Sequence, residues 1–129
     1  MRIMSFSKKW DKLHLDLLVT DRPEFTTFRY WYWQQGWLVQ IFYKARSKEH
    51  REKLGEAIIS KSEPRECDKW VAAKGWNEYP LVTEAEAQAD GFANLDDMVK
   101  FFEEQYGGDW HPVMNKLTLR WLPVPPVKP

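Results

Sequence analysis

Two capped helices set between strand-patterned stretches constrain this chain more than any other feature. Thr83-Glu84-Ala85-Glu86 is a capping box, in which hydroxyl and carboxylate each satisfy an amide that a helix start leaves bare. The spacing predicts a short helix from Glu84, stopped at Gly91 after Asp90. Asn94 then caps a second helix, with Asp96 and Asp97 favourably placed in its first turn. Leu95, Met98, Val99, Phe102 and Tyr106 form one apolar face, and Gly107-Gly108 ends it. Strand patterns lie on both sides. Arg2–Phe6, Phe25–Tyr30, Trp37–Lys44 and Leu54–Ser62 precede the helices, and Lys116–Leu122 follows them, with Leu117, Leu119 and Trp121 on one face. Strands that flank a helical insert argue for an α+β fold, a small β-barrel with flanking short helices, and against βαβ alternation.

The links between these elements are polar. Lys8–Leu13 reads as a helical turn or a loop, and Pro23 breaks any helix across 14–23. Gln34-Gln35-Gly36 marks a turn, Ala45–Lys53 reads as a charged connection, either a solvated loop or a short helix, and Pro64 is expected to end or divert the strand before it. Lys69–Pro80 follows no clear pattern. Residues 1–122 fit one domain with a real core. Residues 123–129 hold four of the eight prolines and read as an extended, frayed tail.

Charge and cysteine content narrow the function classes. With 19 basic and 19 acidic side chains, long-range attraction to nucleic acid is weak, and any basic surface must be local. The lone cysteine, Cys67, excludes an internal disulfide and a multi-cysteine zinc site, and suits a reducing cytoplasm. His14, His50 and His111 are too scattered for a zinc site, so neither metal nor cofactor is expected. No apolar run is long enough for a membrane span, and residues 1–6 do not form a signal peptide.

The chain has eight tryptophans, and Trp31, Trp33 and Trp37 crowd one segment with Tyr30 and Tyr32. A single strand cannot bury all five on one face. They form either a tertiary cluster or a contact surface, which leaves a protein-interaction adaptor among the readings.

Polar groups set into the apolar strand at Arg22-Pro-Glu-Phe-Thr-Thr-Phe-Arg29 carry the functional signal. Downstream come Ala89-Asp-Gly-Phe92, the capped helix from Asn94, Tyr106-Gly107 and a closing strand. This ordered set, spanning Ile3 to Leu122, resembles the ASCH family of PUA-like barrels, which are associated with RNA and modified nucleosides. The family segment is Gly-x-Lys-x-x-(Glu or Thr)-x-Arg. Its positions fall on Arg22, Glu24, Thr27 and Arg29, so Glu24 stands where the family has lysine.

The resemblance implies a cleft that binds RNA or a modified nucleoside, with single-stranded DNA as a further candidate. The cleft would be built from Lys8, Glu24, Thr27, Arg29 and Asp90. One branch of the family resembles an amidohydrolase that deacylates acetylated cytidine with a threonine nucleophile, a lysine and a glutamate. Carried over, these roles fall on Thr27, Glu24 and Asp90. A threonine needs a base or a positive charge to become nucleophilic, and Glu24 cannot stabilise negative charge. Lys8, Lys9 or Lys12 would have to supply the ammonium, so binding ranks above catalysis.

Arg29 can grip a phosphate or base edge, or pair with Asp90. Adjacent strand residues face opposite ways, so only one of Thr26 and Thr27 enters the cleft, and the match favours Thr27. Ser5, Ser7, Lys8, Lys9 and Trp10 form a polar, basic and aromatic set, with Trp10 able to stack on a base. Cys67, between Glu66 and Asp68, is a poor nucleophile.

Overall fold

In the computed structural model, which describes residues 1–30, 33–67, 79–106 and 113–123, strand alternation places the core. Five strands form one sheet: β1 (Arg2–Phe6), β2 (Phe25–Arg29), β3 (Leu38–Tyr43), β4 (Glu52–Glu66) and β5 (Val113–Trp121). Helices α1 (Glu84–Asp90) and α2 (Leu95–Tyr106) precede β5. The strand order is β1-β3-β4-β5-β2, parallel between β1 and β3 and antiparallel elsewhere. The fold is thus α+β with a mixed sheet.

Every strand sends residues into one apolar cluster: Met4 and Phe6, Phe25, Val39 and Ile41, Ala57 and Ile59, and Leu117 with Leu119 and Trp121. A second cluster lies between sheet and helices, where Phe28 and Met114 meet Ala87, Leu95, Met98 and Phe102. Phe25 and Phe28 therefore serve different cores, as odd and even strand positions must.

β1 and β2 are the two edges of the sheet. No backbone ladder joins them among the described residues, so the sheet is open, and the closed barrel expected from the sequence is not formed by strand pairing. Side chains cross the gap instead. Arg29 Nη1 donates to the Ser5 carbonyl at 3.0 Å, and the Phe6 and Phe25 rings meet edge to face at 6.1 Å.

The structure extends two strands past their expected bounds, with β4 starting at Glu52 rather than Leu54 and β5 at Val113 rather than Lys116. β4 runs through Pro64 to Glu66 rather than ending there. β3 accompanies β4 only as far as Ile58, so among the described residues β5 is the one ladder neighbour at Pro64, and the missing N–H costs no bond to β3.

The helix starts form as the capping residues dictate. Thr83 Oγ1 accepts from Glu86 N at 3.1 Å, and Glu86 Oε1 accepts from Thr83 N at 3.1 Å. Asn94 Oδ1 accepts from Asp97 N at 2.8 Å. Glu86 also binds Arg65 and Lys116, which ties α1 to β4 and β5. Burial works to raise the Glu86 pKa, but the bonds from Lys116 and the Thr83 amide win and hold it below the ordinary carboxylate value.

Trp33 and Trp37 meet edge to face at 6.4 Å, and both pack partly buried on the main core. Arg2 lies over Trp37, 3.7 Å from its ring centroid. Trp31, Tyr32, the Tyr106 side chain, Gly107-Gly108, His111, residues 68–78 of the unpatterned stretch and tail residues 124–129 lie outside the described residues.

Candidate functional site

The gap between β1 and β2 opens into a cavity of about 540 Å³. Thr27 and Arg29 lie on the same side of β2 by alternation, and both line the cavity. Asp90 joins them from the end of α1. The cavity thus unites Thr27, Arg29 and Asp90, residues far apart in the chain.

Asp90 arrives there because α1 ends on a glycine. Gly91 adopts φ 114°, its N–H donates to the Gln88 carbonyl, and the Phe92 N–H donates to the Ala87 carbonyl. This double closure turns the chain sharply and points Phe92 back at the second core. Phe92 meets Trp10 at 5.1 Å and Phe101 at 5.4 Å between ring centroids. Trp10, Phe92, Phe101 and Phe102 form one aromatic wall of the cavity.

Lys12 is the charged group at its base. Its Nζ donates to Asp90 Oδ1 at 2.7 Å and to the Thr26 carbonyl at 2.7 Å. Both side chains of the pair are buried, 8% exposed for Lys12 and 5% for Asp90. Burial pushes the Asp90 carboxyl up, opposed by the charges of Lys12 and Arg29 and by the Lys12 hydrogen bond. Burial likewise pushes the Lys12 amine down, opposed by Asp90. Each group is therefore less willing to be charged than in water, and their contact is what keeps them compatible with the interior.

A second wall comes from the end of β1 and the turn after β3. Ser5, Ser7, Lys44, Arg46 and Ser47 line it. Lys44 has φ 45°, and its N–H donates to the Phe6 carbonyl at 2.9 Å. The Ala45 N–H donates to Ser5 Oγ at 3.1 Å. The turn is thereby fastened to β1 by its backbone.

Other residues singled out in the sequence stand elsewhere. Glu24 is exposed and faces a second recess with Lys8, His14 and Gln88. It precedes β2 out of phase with Thr27, so alternation turns it away from the main cavity. Lys8 lies over the outer side of Trp10, 4.4 Å from a ring centroid. Lys9 bonds Glu52 at 2.6 Å and does not line the cavity. Trp10 separates the cavity from that recess and lines both.

Of the three lysines the sequence offered, Lys12 lines the cavity and Lys8 and Lys9 do not. Nothing in the sequence signalled that Lys44 and Arg46 face a cavity, because a charged turn usually faces solvent. Phe101 did leave a signal, being an aromatic residue beside, rather than on, the apolar face of α2.

The Cys67 thiol is no candidate. Burial, and then the nearby charges of Asp90, Glu66 and Glu86, push its pKa up to about 12, so the thiolate is absent at neutral pH. Among the described residues, no group of three or more His, Cys, Asp or Glu could hold a metal ion, and no helix is long and apolar enough to cross a membrane.

Comparison of the chain with protein-family models, curated proteins and solved structures gives no match.

Proposed function

We propose that this cavity binds single-stranded RNA or a modified nucleoside by enclosing one base. The observation that carries this reading is a cavity of about 540 Å³ lined by both aromatic and cationic side chains, a volume in the range of small-ligand sites. The aromatic side suits a flat heterocycle, and Arg29 suits a base edge or a phosphate. The resemblance of Arg22–Arg29 and Ala89–Phe92 to ASCH segments supports the same reading. In that view the sheet is a PUA-like barrel left open at the seam between its edges.

Binding is expected to be modest and salt-sensitive, because the whole chain has no net charge and few phosphates can be neutralised at once. The test is an anisotropy titration of labelled single-stranded RNA at two salt concentrations. Phe101→Ala should weaken binding about tenfold, the scale of one lost base–aromatic contact. Equal affinity for wild type and Phe101→Ala would remove the base from this wall.

One observation favours a second reading, hydrolysis of an acylated nucleoside by Thr27. Lys12 lines the same cavity as Thr27, and an ammonium is what the carried-over mechanism lacks at Glu24. Two of its three N–H groups are already taken by Asp90 and the Thr26 carbonyl, which argues for a positioning role. A cytidine-release assay on acetylated cytidine should therefore show no turnover above background. Turnover by wild type, lost by roughly 100- to 10,000-fold in Lys12→Met and abolished in Thr27→Ala, would replace the first reading with the second.

A further inference from the structure

From the charge arrangement around the cavity, and resting on the base-binding reading above, we infer that the ligand is a nucleotide rather than a neutral nucleoside, with its phosphate held by Lys44, Arg46 and Ser47. Among the described residues, four cationic side chains line the cavity, Lys12, Arg29, Lys44 and Arg46, against a single carboxylate, Asp90. That carboxylate is matched by Lys12 at 2.7 Å. The remaining cations, Arg29 at the end of β2 and Lys44 and Arg46 on the turn after β3, gather at one cavity in a chain whose overall charge is zero, so bulk composition does not account for them.

The two exposed cations have no carboxylate of their own. Among the described residues, neither Lys44 nor Arg46 forms an ion pair, whereas Lys9, Lys53, Arg65 and Lys116 all do. The turn that bears them is held in place. Lys44 sits in the left-handed region, which disfavours a side chain with a Cβ, and two bonds to β1 keep it there. A turn fixed in this way holds the backbone of Lys44 and Arg46 beside the cavity, so that binding has only their side-chain freedom left to restrict. The hydroxyls of Ser5, Ser7 and Ser47 on the same wall add the neutral partners that a phosphate ester also accepts. A neutral nucleoside would leave these cations without a counter-charge, whereas a 5′-phosphate meets them while its base meets Trp10 and Phe101.

Calorimetric titration with the four nucleosides, their 5′-monophosphates and ribose 5-phosphate tests this. The protein is wild type and the Lys44→Ala/Arg46→Ala double variant, whose replaced side chains are exposed and outside both cores. The expected result is that at least one monophosphate binds wild type about 10- to 100-fold more tightly than its nucleoside, from two charge-assisted contacts. That advantage, the ratio of monophosphate to nucleoside affinity, should vanish in the double variant. Equal binding of nucleoside and monophosphate by wild type would overturn the phosphate subsite and leave base binding intact. Ribose 5-phosphate binding as tightly as every monophosphate, with loss in the double variant, would support the subsite and overturn the base reading. Failure of every monophosphate to bind would overturn both.

Discussion

Lys12→Met and Asp90→Leu, made singly, are each expected to destabilise the protein by about 3–5 kcal/mol. Each leaves the other charge buried with its main partner gone, since the pair is bonded at 2.7 Å and almost wholly out of water. The double variant should recover most of that loss, and can equal or exceed wild type, because replacing a buried pair by apolar groups removes the desolvation cost of both ions. Urea unfolding followed by circular dichroism and tryptophan fluorescence gives the comparison. Single variants within about 1 kcal/mol of wild type, a value typical of an exposed pair, would show that water reaches this contact.

The pH dependence has a definite sign. Asp90 is raised in the folded protein, so its contribution to stability is full below the ordinary value of 3.8 and is lost as pH rises through the folded value. Lys12 is lowered, so its contribution is full above 10.5 and is lost as pH falls through its folded value. In the window between, both ions carry a burial cost. Any stability advantage of the double variant should therefore be largest there, and shrink as acid protonates Asp90. An advantage that grew on acidification would contradict the raised carboxyl.

Gly91→Ala should cost about 2–4 kcal/mol, through two separable effects. The position has φ 114°, which strains any residue bearing a Cβ, and an added Cβ would stand 2.7 Å from Cε3 of Trp10. Gly36→Ala isolates the first effect. Its φ is 92°, but nothing lies within 4 Å of an added Cβ, so it should cost only about 1–2 kcal/mol. The excess at Gly91 measures how firmly Trp10 is held against the end of α1. Because Trp10 is part of the aromatic wall, Gly91→Ala should also weaken RNA binding, while Gly36→Ala should not. Equal costs for the two variants would mean that the Trp10 ring moves aside freely.

The local elements were legible because local physics sets them. Thr83, Glu86, Gly91 and Asn94 each satisfy or redirect backbone groups within a few residues, and the helices begin and turn where those residues stand. Alternation in Leu117, Leu119 and Trp121 marked a buried strand face, and those three residues lie in the main core. The continuation of β4 past Pro64 was not legible, since a proline breaks a strand only where its N–H is needed, and that depends on which neighbour is present. Closure of the sheet was equally hidden. Each strand pattern names one buried face, but whether β1 and β2 meet depends on curvature summed over five strands.

The candidate site divides the same way. From the sequence alone, Thr27 and Arg29 share a face, because strand residues two apart always do, and Asp90 ends a helix. Only the tertiary structure chose Lys12 from three nearby lysines, since that choice rests on which ammonium a distant carboxylate can reach in the interior. Only it turned Glu24 outward, and only it brought Lys44 and Arg46 from a charged turn to the wall of a cavity. Hydrogen bonds within a turn of helix are written in neighbouring residues, whereas the pairing of charges across a fold is set by packing, which no short stretch of sequence contains.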